Sequence, residues 1–61
     1  MERTEAQYLI FNALEVLGLV RRDFYDDDTG IWYLETVSLT LPISRLLPDG
    51  EVLPLEVDYY E

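Results

Sequence analysis

The stretch Leu19-Val20-Arg21-Arg22-Asp23-Phe24-Tyr25-Asp26-Asp27-Asp28-Thr29-Gly30-Ile31-Trp32-Tyr33-Leu34-Glu35 decides the fold. Aromatic and β-branched residues mark strands over residues 19–25 and 31–41. Between them, Asp26 to Gly30 supply turn chemistry, with Gly30 suited to a positive-φ position. The whole reads as an antiparallel hairpin with an acidic tip.

Upstream, the pattern is helical. Thr4-Glu5-Ala6-Gln7 has the form of a capping box, in which the Thr4 hydroxyl takes the Gln7 amide and the Gln7 side chain reaches back. Glu2 and Glu5 favour the positive end of the helix dipole. The helix is predicted over residues 5–17, stopped by Gly18. At 100° per residue, Ala6, Leu9, Ile10, Ala13, Leu14 and Leu17 share one wide face, with Glu5, Asn12 and Glu15 opposite. Tyr8, Phe11 and Val16 flank the polar strip, which is more apolar girth than one sheet face covers.

Downstream, Pro42 breaks or bends the second strand, and residues 43–47 form a short third one. Leu47-Pro48-Asp49-Gly50-Glu51 signals a tight turn, with proline pre-set for its second position. A last strand over 52–59 alternates, with Leu53, Leu55, Val57 and Tyr59 on one side and Pro54, Glu56, Asp58 and Tyr60 on the other. Pro54 marks it as an edge strand or a bulge. The expected architecture is α+β: one N-terminal helix packed on a three- to four-stranded antiparallel β-meander, forming a single domain over residues 1–61.

Composition narrows the function. The chain of 61 residues carries a net charge of −9, with four arginines, thirteen carboxylates, and no lysine, histidine or cysteine. The side chains that usually carry nucleophilic, general-base and zinc chemistry are absent. A domain this small buries only about 60% of its unfolded surface, and a core of this size rarely supplies more than about 3–5 kcal/mol of net stability. An apolar share of 49% nevertheless separates it from acidic disordered tails. The acidic start, Met1-Glu2-Arg3-Thr4-Glu5, lacks the character of a secretory signal. Asn12 and Glu15 interrupt the one long apolar segment, and an acidic surface is repelled by anionic lipid. The expectation is a cytoplasmic protein without membrane, cofactor or metal.

Leu17-Gly18-Leu19-Val20-Arg21-Arg22, with the loop and Ile31-Trp32-Tyr33-Leu34-Glu35-Thr36 that follow, locally resembles the passage from recognition helix to wing in winged-helix DNA-binding domains. The resemblance covers about a third of the chain. No segment for the two preceding helices of such domains is visible, and the helix carries Glu5 and Glu15 but no lysine or arginine. Counterion release needs cations, so direct nucleic-acid binding is not expected.

Three constellations invite chemistry. Asp26-Asp27-Asp28 offers carboxylates to a hard cation, but aligning Gly30 with the glycine of a calcium loop puts Tyr25 and Thr36 at the first and twelfth ligand positions, and both are unsuitable. Glu35 with Asp58, or Glu56 with Asp58, pairs carboxylates as glycoside hydrolysis requires, though so small a domain has little room for a cleft as well as a core. Arg21-Arg22 is the one basic cluster, with Asp23 or the triple-aspartate loop as expected ion-pair partners. No enzyme is expected.

Binding remains. In Phe24-Tyr25, Trp32-Tyr33 and Tyr59-Tyr60, adjacent strand residues face opposite sides, so one of each pair is left outside the core, and such aromatics favour interfaces. A globule on the order of 25 Å across compares with roughly fifteen phosphates on duplex DNA of that length. Glu56 and Asp58, roughly 6.5–7 Å apart on one strand face, form a short row of the same kind. The expected function is a small acidic protein-binding module that docks on a basic surface of another protein, foremost a nucleic-acid-binding one, as inhibitor, regulator or DNA mimic. Its size and charge resemble those of phage-encoded inhibitors. The expected contacts are Asp26, Asp27, Asp28, Glu56, Asp58 and Glu61 for charge, with Trp32, Tyr59 and Tyr60 as anchors. The alternative is a structural or assembly subunit, a homo-oligomer such as a homodimer or part of a larger complex, joined through Leu9, Phe11, Val16, the outer sheet face and an edge strand. Adaptation to a salt-rich cytoplasm would give the same acidity with no partner.

Overall fold

The computed structural model describes residues 1–38 and 42–55. A helix, α1 (Glu5–Val16), precedes four strands: β1 (Val20–Asp26), β2 (Ile31–Thr36), β3 (Ile43–Leu46) and β4 (Val52–Pro54). The strands form one antiparallel sheet in the order β1-β2-β3-β4. The chain is therefore the expected α+β unit, a helix followed by a meander.

Local signals set the helix ends. Thr4 is the N-cap: its Oγ1 accepts the Gln7 N–H at 3.1 Å, and Gln7 Oε1 accepts the Thr4 N–H at 2.9 Å. At the other end, Gly18 adopts φ +74°. The Gly18 N–H donates to the Glu15 carbonyl and the Leu19 N–H to the Leu14 carbonyl, which closes a Schellman motif. Because that closure uses the Leu19 N–H, β1 begins at Val20, one residue later than predicted.

The turns follow the sequence as well. The Gly30 N–H bonds the Asp26 carbonyl, and both Asp26 carboxylate oxygens accept from within the loop, one from the Asp28 N–H and one from the Thr29 hydroxyl. In the third turn the Gly50 N–H bonds the Leu47 carbonyl and the Leu47 N–H bonds the Glu51 carbonyl. That is a type I turn closed by a glycine bulge. β2 ends earlier than the predicted 31–41. β1 has run out at Val20, so the Val37 N–H reaches the Leu19 carbonyl and the Thr36 N–H the Pro42 carbonyl, bending the chain at Val37. Residues 39–41 of that predicted strand, and 56–59 of the last one, lie outside the described residues.

The core is Trp32, Leu34 and Leu46, with Ile10, Phe11, Leu14 and Tyr25 packed against it. Register places Tyr25, Trp32, Leu46 and Val52 in one cross-strand row under the helix, and Asp23, Leu34, Ser44 and Pro54 in the next. The helix is rotated from the predicted face by roughly 80° at 100° per residue. Gln7, Ile10, Phe11 and Leu14 turn inward, while Leu9 and Leu17 are 67% and 69% exposed. The rotation has a physical cause: Gln7, fully buried, bonds the Gly30 and Leu46 carbonyls at 2.8 and 2.9 Å, and these bonds fix the azimuth.

Two glycines give a graded test. Gly18 has nothing within 4 Å of an added Cβ, whereas at Gly50 (φ +92°) that atom would lie 3.3 Å from Ala6 Cβ, on the capped helix. Gly18→Ala is expected to cost only the left-handed backbone term, about 1 kcal/mol. Gly50→Ala adds helix displacement and should cost roughly 2 kcal/mol or more. Urea unfolding of the two variants checks the ranking, and equal costs would show that the turn and helix are not in tight contact.

Candidate functional site

In an up-and-down meander the first and third turns open at the same end of the sheet. The helix N-terminus is fastened to both. Thr4 Oγ1–H donates to the Pro48 carbonyl at 2.6 Å, Gln7 joins Gly30 to Leu46, and the Met1 amine donates to the Asp27 carbonyl at 2.8 Å. Segments distant in sequence thus deliver Glu2, Glu5, Asp26, Asp27, Asp28, Asp49 and Glu51 to one end of the molecule. Among the described residues, seven carboxylates against Arg3 and the Met1 amine leave five net negative charges on this acidic pole.

The seven are not equivalent. Asp26 builds its loop, and an Asp49 oxygen accepts the Glu51 N–H at 2.9 Å. Glu2, Glu5, Asp27, Asp28 and Glu51 are exposed. The carboxylates of Asp26, Asp27 and Asp28 lie within 4.8 Å of one another. Asp26 uses both oxygens within the turn, and the other two residues stand in solvent, so the cluster is a concentrated charge rather than a built cation cage.

The remaining arginines lie elsewhere. Arg22 and Glu35 are cross-strand neighbours, with Nε 3.6 Å from Oε1. This corrects the expected pairing with Asp23 or the aspartate loop. Strand alternation sends Asp23 to the other face, where its Oδ2 accepts the Trp32 indole N–H at 2.8 Å. Arg45 reaches the Pro54 carbonyl. Arg21, at the start of β1, is exposed near the opposite end.

Of the predicted contacts, Asp26, Asp27 and Asp28 lie on the pole. Trp32 does not take the surface position expected of it: it is 3% exposed and belongs to the core. Alternation then leaves Tyr33 on the outer sheet face, beside Phe24, which is 67% exposed. Glu56, Asp58, Tyr59, Tyr60 and Glu61 lie outside the described residues. On the alternative, apolar reading, Leu9 and Val16 are exposed as named, whereas Phe11 packs on the core.

Sequence reasoning missed Arg3. Its guanidinium Cζ sits 4.6 Å from the Tyr25 ring centroid and 4.5 Å from that of Trp32. An open cleft of about 400 Å³ adjoins it, lined by Met1, Glu2, Arg3, Tyr8, Tyr25 and Asp27. The contact joins residues far apart in the chain, so no local pattern announces it. Among the described residues no helix is long and apolar enough to cross a membrane. Compared with known proteins, the chain matches no family model, no curated protein and no solved structure.

Proposed function

We propose that this protein is a non-enzymatic binding module whose acidic pole docks on a basic surface of another protein in the cytoplasm. The partner class that fits best is a nucleic-acid-binding protein, on which the carboxylates stand in for phosphates and so inhibit or regulate it. One observation carries the reading: seven carboxylates converge on one end, while Arg21, Arg22 and Arg45 lie off it. A charge gathered at one end orients an approaching cation, which raises association rate and fixes docking direction. Charge scattered for solubility would do neither.

Two double variants with the same change in net charge test it. Asp27→Asn with Asp28→Asn removes two of the pole's five net negative charges without touching the side-chain bonds of the loop, which belong to Asp26. Glu15→Gln with Glu35→Gln neutralises charge elsewhere. Capture of basic host proteins at about 50 mM salt should weaken roughly tenfold for the first pair, the ~1.4 kcal/mol expected of two steering carboxylates. The second pair should match wild type. Equal losses in both would reduce the acidity to bulk charge.

The assembly reading has its own observation. Leu9 and Val16 are 67% and 86% exposed on the helix face turned from the sheet, and the C-cap Leu17 is 69% exposed. Association through that face would persist at high salt, opposite to docking by the pole.

A further inference from the structure

Arg3 occupies a poor place for a cation. It precedes the N-cap Thr4, where the helix dipole opposes positive charge. Its Nε is buried and has no hydrogen-bond partner. Aromatic rings hold it instead. Phe11 stacks on Trp32 with centroids 4.1 Å apart and planes 14° from parallel, so the guanidinium at 4.5 Å must cover the other face of the indole. Tyr8 and Tyr25 meet the indole edge-on, each at 80°, with centroids at 5.6 and 6.3 Å. The floor and one wall are placed without Arg3, because Trp32 is held by Phe11 and Asp23 and the Tyr25 backbone by strand pairing.

We propose that this is a guanidinium receptor. It is an aromatic cage of Trp32, Tyr25 and Tyr8 rimmed by Glu2 and Asp27, occupied in cis by Arg3, and it takes an arginine side chain of the basic partner in trans. The identity of the ligand's carrier rests on the docking reading above; the chemistry of the cage does not. Arginine suits it better than lysine, because a planar, weakly hydrated cation stacks on rings while its fork reaches carboxylates. Arg3 is tethered one residue before a capped helix, and its Nε–H finds no acceptor there. An untethered arginine entering through the cleft can aim its donors at Glu2 and Asp27. The arm that covers the cage is short, fastened by the Tyr25 hydroxyl to the Met1 carbonyl at 3.0 Å and by the Met1 amine to the Asp27 carbonyl, both in exposed positions.

The test uses the full chain with Arg3→Ala, and N-acetyl-arginine methylamide as probe. Trp32 is the single tryptophan, so its fluorescence reports the cage directly. The variant should show a saturable fluorescence change and a raised thermal midpoint at millimolar probe. The matching lysine amide should respond several-fold more weakly, and sodium chloride not at all. Wild type, with its cage filled, should need roughly tenfold more probe, because apparent affinity scales with the vacant fraction. Should Arg3→Ala not fold, Arg3→Gln keeps the aliphatic stem and is held to the same standard. A folded variant without a saturable response, or with equal responses to arginine and lysine, overturns the proposal. No partner enters this test, so a positive result alongside equal losses in the two charge-neutralised pairs leaves the cage standing and removes the docking reading.

Discussion

Replacing Gln7 with leucine is expected to leave no folded protein at room temperature, with helical circular dichroism lost before any urea is added. Gln7 is fully buried, and its amide satisfies three backbone groups: the Thr4 N–H and the Gly30 and Leu46 carbonyls. Leucine matches the volume and supplies none of these bonds. Each stranded group costs about 1–3 kcal/mol, against about 3–5 kcal/mol for the whole domain. Gln7→Glu should fare no better, because a carboxylate would then face two carbonyls. Thr4→Ala is the control. It removes the cap and the bond to Pro48, should cost about 1–2 kcal/mol, and should leave a folded protein with a lower urea midpoint. A Gln7→Leu variant that folds within about 1 kcal/mol of wild type would show that the apolar contacts alone set the helix azimuth.

The same residue shows where the sequence is legible and where it is not. Helix start, helix stop and both hairpin turns rest on contacts within a few residues, and Thr4, Gly18, Asp26 and Pro48 announce them. The helix azimuth rests on a bond from Gln7 to carbonyls 23 and 39 positions away. Apolar periodicity favours putting Leu9 and Leu17 inside; satisfying a buried amide puts Gln7 there instead, and the stronger demand prevails. The acidic pole was legible as charge but not as a place. Its convergence depends on the meander bringing two turns and the helix start together, so Glu2, Glu5, Asp49 and Glu51 join the aspartate loop only in three dimensions. Arg22 found Glu35 for a similar reason, since strand register outranks nearness in sequence. Arg3 breaks the polar-outside rule beside the pole itself. Local rules tend to fail where a fold has been shaped for a ligand, and at Arg3 such a failure lies beside an open cleft.

Within the aromatic pairs the consequences of alternation are unequal, and substitution should expose them. Trp32→Ala removes the ring that carries the Phe11 stack, the Tyr8 and Tyr25 edges and the Arg3 cation. Truncating so large a buried ring costs about 3–5 kcal/mol, comparable with the stability of the entire domain. The variant should lose near-ultraviolet dichroism and bind a hydrophobic dye while keeping part of its secondary structure. Trp32→Phe preserves a stacking face but loses three buried ring atoms, the indole N–H among them. Asp23 is exposed enough for water to replace that donor, so the loss should stay near 1–2 kcal/mol. Phe24→Ala is the counterpart on the outer face, one strand over and 67% exposed. It should shift stability by no more than about 0.5–1 kcal/mol. Urea unfolding followed by circular dichroism ranks all three. The order Trp32→Ala, Trp32→Phe, Phe24→Ala follows from which face the helix covers, and a Phe24 variant less stable than the Trp32→Phe variant would mean that something packs on the outer face after all.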